Sequence, residues 1–593
     1  MYKMYKYILK YRDIIKVVLM SLISYLAFLI YFRVIFSNDS YNFMLSLLFF
    51  FLCYFYNKEN IRYQKCSKRT KIIVSTFSFI LSFILIVGSI VSSYLGYKSV
   101  VIFNFHNIIY SIVGIIGFYF LFKIFVCMII EYINKVKISG KRKFTKKMFV
   151  KIMIIIFVCW LPYFLRYFPA VMTPDSYYSL HYIKNGILND YHTFGHTWFV
   201  GFFILIGKLV FGKFNYAVAF YIVIQMLINS FIFTFIIKFL YEKNVKKIVV
   251  FVVGLFFCFS PLYAIYSVTL WRDVLFGIVF VMLFILLYNY VDSDYKLSKK
   301  NVMMYLVSVF VMLFFRNNGI YVFLLFVPIF VLFSKYNRKI IAISNIIIII
   351  MYFLIKGPVF DYFEVQKTTS SEAYSIPLQQ IARVVSSGAN IEKKDYKYLN
   401  KVIDMEQVSL KYNPTISDPI KRLVNNEELP KDKLKFFKAW FKLFLKYPRT
   451  YVEAYLCQTL GYWYPDVIYW ATAGESKSIF KDVDVYSESK VPDVVKNLDI
   501  VTSRKLPLSN LIWSLGIMFI LLIFSVMLLI YKKQYRYILC YTPLICLWLT
   551  IMVATPVFSE LRYVYGLFTC VPLIIICPLL KKNNGSSKSR NLT

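Results

Sequence analysis

The chain has 593 residues, of which 59% are hydrophobic and 20% aromatic, and its formal net charge is +39. A mean hydropathy of +0.62 over that length excludes an ordinary soluble enzyme and points to a polytopic membrane protein. The lysines and arginines cluster in short loops between apolar runs, so the charge reads as cytoplasmic anchoring by the positive-inside rule and not as a nucleic-acid surface.

A helix needs roughly 20 apolar residues to cross the hydrocarbon core. The N-terminus carries Lys3, Lys6, Lys10 and Arg12 and then turns apolar with no small-residue cleavage site, which predicts an uncleaved first span. Spans are expected at 14–32, 41–56, 72–93 and 108–130, giving residues 1–148 as a block of four N-terminal transmembrane helices. Seven more follow at 149–168, 215–238, 248–266, 274–291, 302–315, 318–334 and 340–356, with an outer loop at 169–214. Residues 357–508 mix Lys, Glu, Asp and Pro with modest apolar segments such as Leu434–Leu445, and predict a mainly helical extracellular domain. Three last spans, 509–531, 537–555 and 563–580, precede a Ser/Asn-rich tail, 581–593, expected to be disordered and cytoplasmic. The fold class is thus an all-α polytopic membrane protein with about 14 transmembrane helices.

Basic loops set the expected topology. Lys58, Arg62, Lys65 and Lys68 mark one inner loop; Lys135, Lys141, Arg142, Lys143, Lys146 and Lys147 mark the next. The span at 149–168 then runs outward and puts Asp175 on the outer face. The run 197–212 is apolar but short, and reading it as an interfacial or re-entrant helix leaves every later basic loop, and both termini, on the cytoplasmic side.

Candidate chemistry lies where spans emerge outward. Asp175 sits in Pro174-Asp175-Ser176-Tyr177-Tyr178, and the loop beyond holds His181, Asp190, His192 and His196, three of the chain's four histidines. Trp271-Arg272-Asp273, Arg316-Asn317-Asn318-Gly319 and Glu560-Leu561-Arg562-Tyr563 sit at other outward ends. If the helices bundle, these groups surround one cavity of carboxylates and guanidiniums. Arginine matches phosphate oxygens and keeps its charge in a low-dielectric site, and a nearby carboxylate can take a proton from an attacking hydroxyl. Blander readings exist: an Asp at a helix start can be a cap, an Arg or Trp an interfacial anchor. The histidine spacing matches no strong metal motif, which leaves a divalent metal as an open alternative and no cofactor assigned. The ten cysteines include no CxxC pair. Asp292-Ser293-Asp294 and Asp482-Val483-Asp484 mimic a DxD motif without the βαβ pattern that would support it.

This layout resembles the GT-C superfamily of membrane glycosyltransferases, which includes the protein O-mannosyltransferases and the lipid A aminoarabinose transferases. The resemblance implies a seven-span core at 149–356, a catalytic Asp175 in the first outer loop and a second acidic residue, Asp273, in the next. Relatives often open the juxtamembrane segment with His-Pro or Lys-Pro, where this chain has Gly195-His196-Thr197. The motifs at 269–273, 316–319, 375–383 and 560–563 are similar to those of a bacterial family of GT-C-like membrane proteins, over roughly residues 150–580. The implied activity is transfer of a sugar from a polyprenyl-phosphate donor to a cell-envelope glycan, lipid or protein. Asp175 would act as general base, with Asp273 orienting the acceptor or tuning Asp175 by like-charge coupling. Arg272, Arg316, Asn317, Asn318, Glu560, Arg562, Tyr563, His192 and His196 would bind substrate. Gln379, Gln380 and Arg383 would help the outer domain select the acceptor. A transporter or flippase of lipid-linked glycans, and a glycan polymerase or ligase, are the alternatives.

Overall fold

A computed structural model describes residues 2–32, 47, 50, 51, 53, 54, 63–98, 100–136, 138, 140–296, 298–334, 337–467, 469, 480–483, 485–492 and 510–580. Most of the span expected at 41–56, the tail 581–593 and Asp484 lie outside these residues. The described chain is helical; its only β pairing consists of isolated bridges.

In chain order the main helices are α1 (Tyr2–Phe32), α2 (Lys68–Ser93), α3 (Phe105–Lys135), α4 (Lys146–Arg166), α5 (Pro174–Asn185), α6 (Phe194–Phe211), α7 (Phe214–Glu242), α8 (Lys247–Phe259), α9 (Pro261–Val268), α10 (Arg272–Asp292), α11 (Lys299–Phe315), α12 (Gly319–Phe333) and α13 (Arg338–Tyr362). After them come α14 (Ser375–Ser386), α15 (Lys393–Val402), α16 (Met405–Lys411), α17 (Lys433–Lys446), α18 (Pro448–Thr459), α19 (Leu515–Tyr531), α20 (Thr542–Ala554), α21 (Leu561–Thr569) and α22 (Val571–Leu579). Among the described residues, 8 helices are long and apolar enough to cross a membrane, or up to 10 if α8–α9 and α21–α22 each count as one bent span. Proline causes both bends, of 48° and 49°: Pro261 opens α9 and Pro572 is the second residue of α22, each lacking the N–H that would continue the preceding helix. The shorter α12, α19 and α20 occupy other expected spans.

Wide apolar faces stay uncovered. Phe202, Leu205 and Leu209 on α6, Phe251 and Phe259 on α8, and Ile343, Ile346, Ile347 and Ile350 on α13 are all exposed. Contiguous surfaces of that kind face lipid in a folded protein. The chain is a multi-pass membrane protein. Helix α6, expected as an interfacial or re-entrant element, is 18 residues long and passes the same length and hydropathy test as the other spans.

The chain divides into two compact units, neither continuous in sequence. The first takes residues 1–136, 370–467 and 554–559; the second takes 137–369, 468–553 and 560–593. The consecutive blocks expected from the sequence are thus redistributed: the segment 357–508 is shared out, and its larger part joins the N-terminal helices.

In the first unit α1 and α2 pack on α3 around Ala27, Ile86 and Phe118. A second core, with Leu378, Ile381, Ile403, Tyr412, Phe436 and Tyr451, gathers α14 to α18. Helix α18 joins the two by packing on both α14 and α2. Its Glu453 is buried; one oxygen accepts from the backbone N–H groups of Ile102 and Phe103 at 3.0 Å, the other pairs with Arg383 at 3.0 Å. A cavity of about 680 Å³ opens among α1, α2 and α3, lined in part by Tyr31, Ser89, Ser93, Tyr94, Tyr97 and Asn107 and, among the described residues, by no charged side chain.

The second unit is built around α10, which is buried along most of its length, consistent with its apolar character on all sides. Helices α7, α11 and α21 pack against it, and α4, α6, α8 and α9 pack on α7.

Candidate functional site

The candidate site lies wholly in the second unit, at the ends of its helices. Its first part is the start of α5. Thr173 caps the helix by accepting from the Ser176 N–H, and the Ser176 hydroxyl accepts from the Thr173 N–H at 3.0 Å, a reciprocal capping box. Both hydroxyls also reach the residues that lead into α10: Trp271 Nε1 donates to Thr173 Oγ1 at 2.7 Å and Ser176 Oγ donates to the Leu270 carbonyl at 2.9 Å. The backbone of Val171 pairs with Val268 and Leu270. These bonds fix Asp175, in the first turn of α5, beside Arg272 and Asp273, in the first turn of α10. Asp175 therefore does not cap its helix; Thr173 does, which leaves the carboxylate free for other partners.

Those partners are arginines. Arg562 bonds Asp175 Oδ2 at 2.5 Å, and its Nε lies 3.2 Å from Glu560 Oε1. Arg316 pairs with Asp273 at 2.6 Å and donates to the Tyr563 carbonyl at 3.2 Å. Its guanidinium stacks 4.6 Å from the Tyr563 ring, and that of Arg562 lies 5.2 Å from Trp271. Arg272 donates to the Tyr191 carbonyl at 2.9 Å, while its buried Nε has no partner among the described residues. Asp273 and Glu560 are almost fully enclosed; Asp175 keeps 34% of its side chain exposed.

The electrostatics separate the acids. Burial opposes ionisation of Asp175, yet Arg562 and Arg272 outweigh it and hold the carboxyl well below its ordinary range. Glu560 goes the other way: burial, reinforced by Asp273 and Asp175, pushes it up to about 7 in spite of Arg562. His192 is buried and pushed down to about 3, first by desolvation and then by Arg272, so it is neutral near pH 7. With Glu560 protonated, three guanidiniums face two carboxylates, an environment that favours an anion.

The structure thus brings together Asp175, His192, Arg272, Asp273, Arg316, Glu560, Arg562 and Tyr563. His192 stacks on Tyr178 with ring centroids 5.1 Å apart. His196 is buried against Phe315, and neither of its ring nitrogens has a hydrogen-bond partner among the described residues. Between them Thr193 holds φ at +61°, a region that a β-branched residue rarely adopts. Its hydroxyl, bonded to the Phe315 carbonyl at 2.9 Å, keeps it there. Asn317 joins a neighbouring knot in which Lys356 bonds both Asp190 carboxylate oxygens, at 2.5 and 2.6 Å, and Asn317 donates to the Asp190 carbonyl. The Asn318 side chain has no partner among the described residues. Gly319 explains its own place in that motif, because a Cβ there would lie 1.7 Å from the Met312 carbonyl oxygen.

Gln379, Gln380 and Arg383 belong to the first unit, where each is engaged. Gln379 donates to Asn413, Gln380 bonds Tyr451 and Trp440, and Arg383 pairs with Glu453. Their hydrogen bonds are those of a packed core.

Sequence reasoning missed two contributors. Trp271, read as an aromatic-belt residue, anchors α5 and underlies Arg562; its adjacency to Arg272-Asp273 was the available signal. Asp482, set aside as part of a false DxD, bonds His181 Nδ1 at 2.9 Å and Asn185 at 2.6 Å, while Phe480 stacks on the His181 ring at 4.2 Å. No group of three or more His, Cys, Asp or Glu side chains among the described residues is arranged to hold a metal ion.

Residues 166–591, well over half of the chain, match a family described as a family of unknown function, DUF6020. The chain belongs to the DUF6020 family. The match takes in every residue of the charged cluster and leaves out α1 to α3. Neither a curated protein nor a solved structure matches the chain.

Proposed function

We propose that this DUF6020 protein is an integral membrane glycosyltransferase of GT-C type, moving a sugar from a polyprenyl-phosphate donor to a cell-envelope acceptor on the outer face. The about 14 crossings, the seven-span core at 149–356 and the outward orientation belong to the same proposal. One observation carries it: three guanidiniums and three carboxyls converge at the ends of helices in a chain rich in membrane-length apolar helices. Such a cluster suits an anionic headgroup whose tail stays in the bilayer.

In this reading the donor phosphate competes with Asp175 for Arg562 and takes up Arg272. Asp175, relieved of its strongest partner, becomes more basic and accepts the proton of an acceptor hydroxyl. The acceptor oxygen attacks the anomeric carbon as the bond to phosphate breaks, with inversion. The phosphate keeps the electron pair and the arginines neutralise it. Asp273 and Arg316, locked together, position Arg562 and Tyr563. Glu560, protonated through its raised pKa, keeps the site short of negative charge while the phosphate is bound, and the proton taken by Asp175 leaves to solvent from that residue's exposed edge.

The test is binding and turnover of polyprenyl-phosphate sugars by the purified protein in nanodiscs, read as release of polyprenyl phosphate. Arg562→Met removes a charge-assisted contact of about 1.5–3 kcal/mol and should weaken polyprenyl phosphate binding about 10- to 150-fold. Asp175→Asn should keep binding and lose release. No binding of polyprenyl phosphate by the native protein would reject the reading. Movement of a lipid-linked glycan across the bilayer with its glycosidic bond intact would replace it with transport.

A further inference from the structure

Helix α17 has the sequence KLKFFKAWFKLFLK, with five lysines and no acidic residue. Its apolar residues cover a buried face, an exposed face and, between them, the half-buried Trp440 and Phe444. Phe436, Ala439 and Leu443 are buried in the core of the first unit, at the spacing of a single helical stripe. Leu434, Phe437, Phe441 and Leu445 form a second stripe on the opposite side, exposed to 66, 42, 50 and 65%. A helix that packs one apolar face has no structural need for another, and four large side chains in line exceed the scatter normal on a water-facing surface.

The surrounding charge indicates what covers the stripe. Lys442 is spent on Glu392 and Asp395, Lys446 on the Asn390 carbonyl, and Lys435 on the Tyr398 ring. Lys433 and Lys438, which flank the stripe, are exposed and have no partner among the described residues. Position gives the second argument. Only Tyr447 separates α17 from α18, and α18 packs on α2, a helix long and apolar enough to span the membrane.

We propose that α17 lies in the headgroup region of an anionic bilayer, its Leu434–Phe437–Phe441–Leu445 stripe in the acyl boundary and Lys433 and Lys438 on lipid phosphates. This is the composition of an interfacial amphipathic helix: an apolar stripe bounded by unpaired cations. The inference is independent of the proposed transfer reaction, since it uses no residue of the charged cluster. It makes the first unit a body with its own hold on the bilayer surface in addition to its spanning helices.

The full chain, in nanodiscs holding one copy and containing phosphatidylglycerol with doxyl-labelled lipid, tests this. An environment-sensitive fluorescent amino acid replaces Phe441 in one preparation, Leu445 in a second, and exposed Lys397 on α15 in a third. Emission at 441 and 445 should be blue-shifted and quenched by the lipid label at least about twofold more than at 397. Lys433→Glu with Lys438→Glu should reduce that quenching. Quenching at 441 and 445 no greater than at 397 overturns the proposal, whether water or another protein covers the stripe. Quenching that is unchanged by the double lysine variant, and equal in phosphatidylcholine discs, overturns the recognition of anionic lipid.

Discussion

Arg316→Met is the perturbation that most directly probes how the cluster is held. The Arg316–Asp273 pair is 2.6 Å long, and the two side chains are 10% and 2% exposed. Removing the guanidinium leaves Asp273 charged in a site that water barely reaches, a loss of about 3–5 kcal/mol. At about 2 °C per kcal/mol for a body of this size, the midpoint of thermal unfolding should fall by about 6–10 °C. Asp273→Asn strands the arginine instead and should cost a comparable amount. The double variant removes both charges, so it should be more stable than the sum of the two losses predicts, by about 2–3 kcal/mol. The assay is thermal unfolding of the four proteins in the same nanodisc, followed by intrinsic fluorescence. If the two losses add to within about 0.5 kcal/mol, the pair is not an interacting unit and the geometry described here is wrong.

Glu560 sets a pH dependence of definite sign. Its pKa of about 7 in the folded chain lies above the ordinary 4.5, so the folded state binds more protons between these values and stability falls as pH rises through that window. The loss is on the order of 3 kcal/mol, and Glu560→Gln, compared by unfolding midpoints at pH 5 and 7.5, should remove most of it. Gly319→Ala forces the backbone away from Met312 and should cost about 3 kcal/mol or abolish monodisperse protein, whereas Gly254→Ala, whose Cβ would meet only Ile237 at 3.8 Å, should fold normally. Arg383→Met should destabilise the first unit by about 3–5 kcal/mol through the loss of a buried partner for Glu453, read as a lowered unfolding midpoint. Lost turnover at unchanged stability would instead support a substrate-binding role for Arg383.

What was legible in the sequence were features that local pattern carries. Apolar length located long apolar helices, though 8 to 10 among the described residues pass as crossings where about 14 were expected, and ionisable residues stood out at helix ends because they are costly there: Asp175, Arg272, Asp273, Arg316, Glu560 and Arg562 were all identifiable. Their pairing was not, since Asp175 and Arg562 are 387 residues apart and nothing local selects Arg562 over Arg272. Gln379, Gln380 and Arg383 looked like site residues because polar groups on an amphipathic helix have the same appearance whether they meet a ligand or a neighbouring helix; Asn413 and Glu453, their partners in the fold, were not legible locally. The bends at Pro261 and Pro572 follow from proline chemistry, but whether each bent pair is one crossing does not. The two-faced character of α17 was hidden as well, because its apolar residues merge into a single run until the packing of Phe436 and Leu443 separates them.

The division into discontinuous units has a consequence for biogenesis. Residues 554–559 complete the first unit: Ser417 N–H donates to the Pro556 carbonyl, Tyr462 hydroxyl to that of Val557, and Gly461 N–H to that of Phe558. A ribosome that has released α1 to α3 must therefore translate more than 400 further residues, including most of the second unit, before those carbonyls exist. The segment 370–467 emerges with a gap waiting for them. Until translation passes Ser559, the first unit has buried donors without acceptors and is exposed to membrane quality control. Truncation just before residue 554 should for that reason shorten the lifetime of a domain whose own helices were finished almost 100 residues earlier.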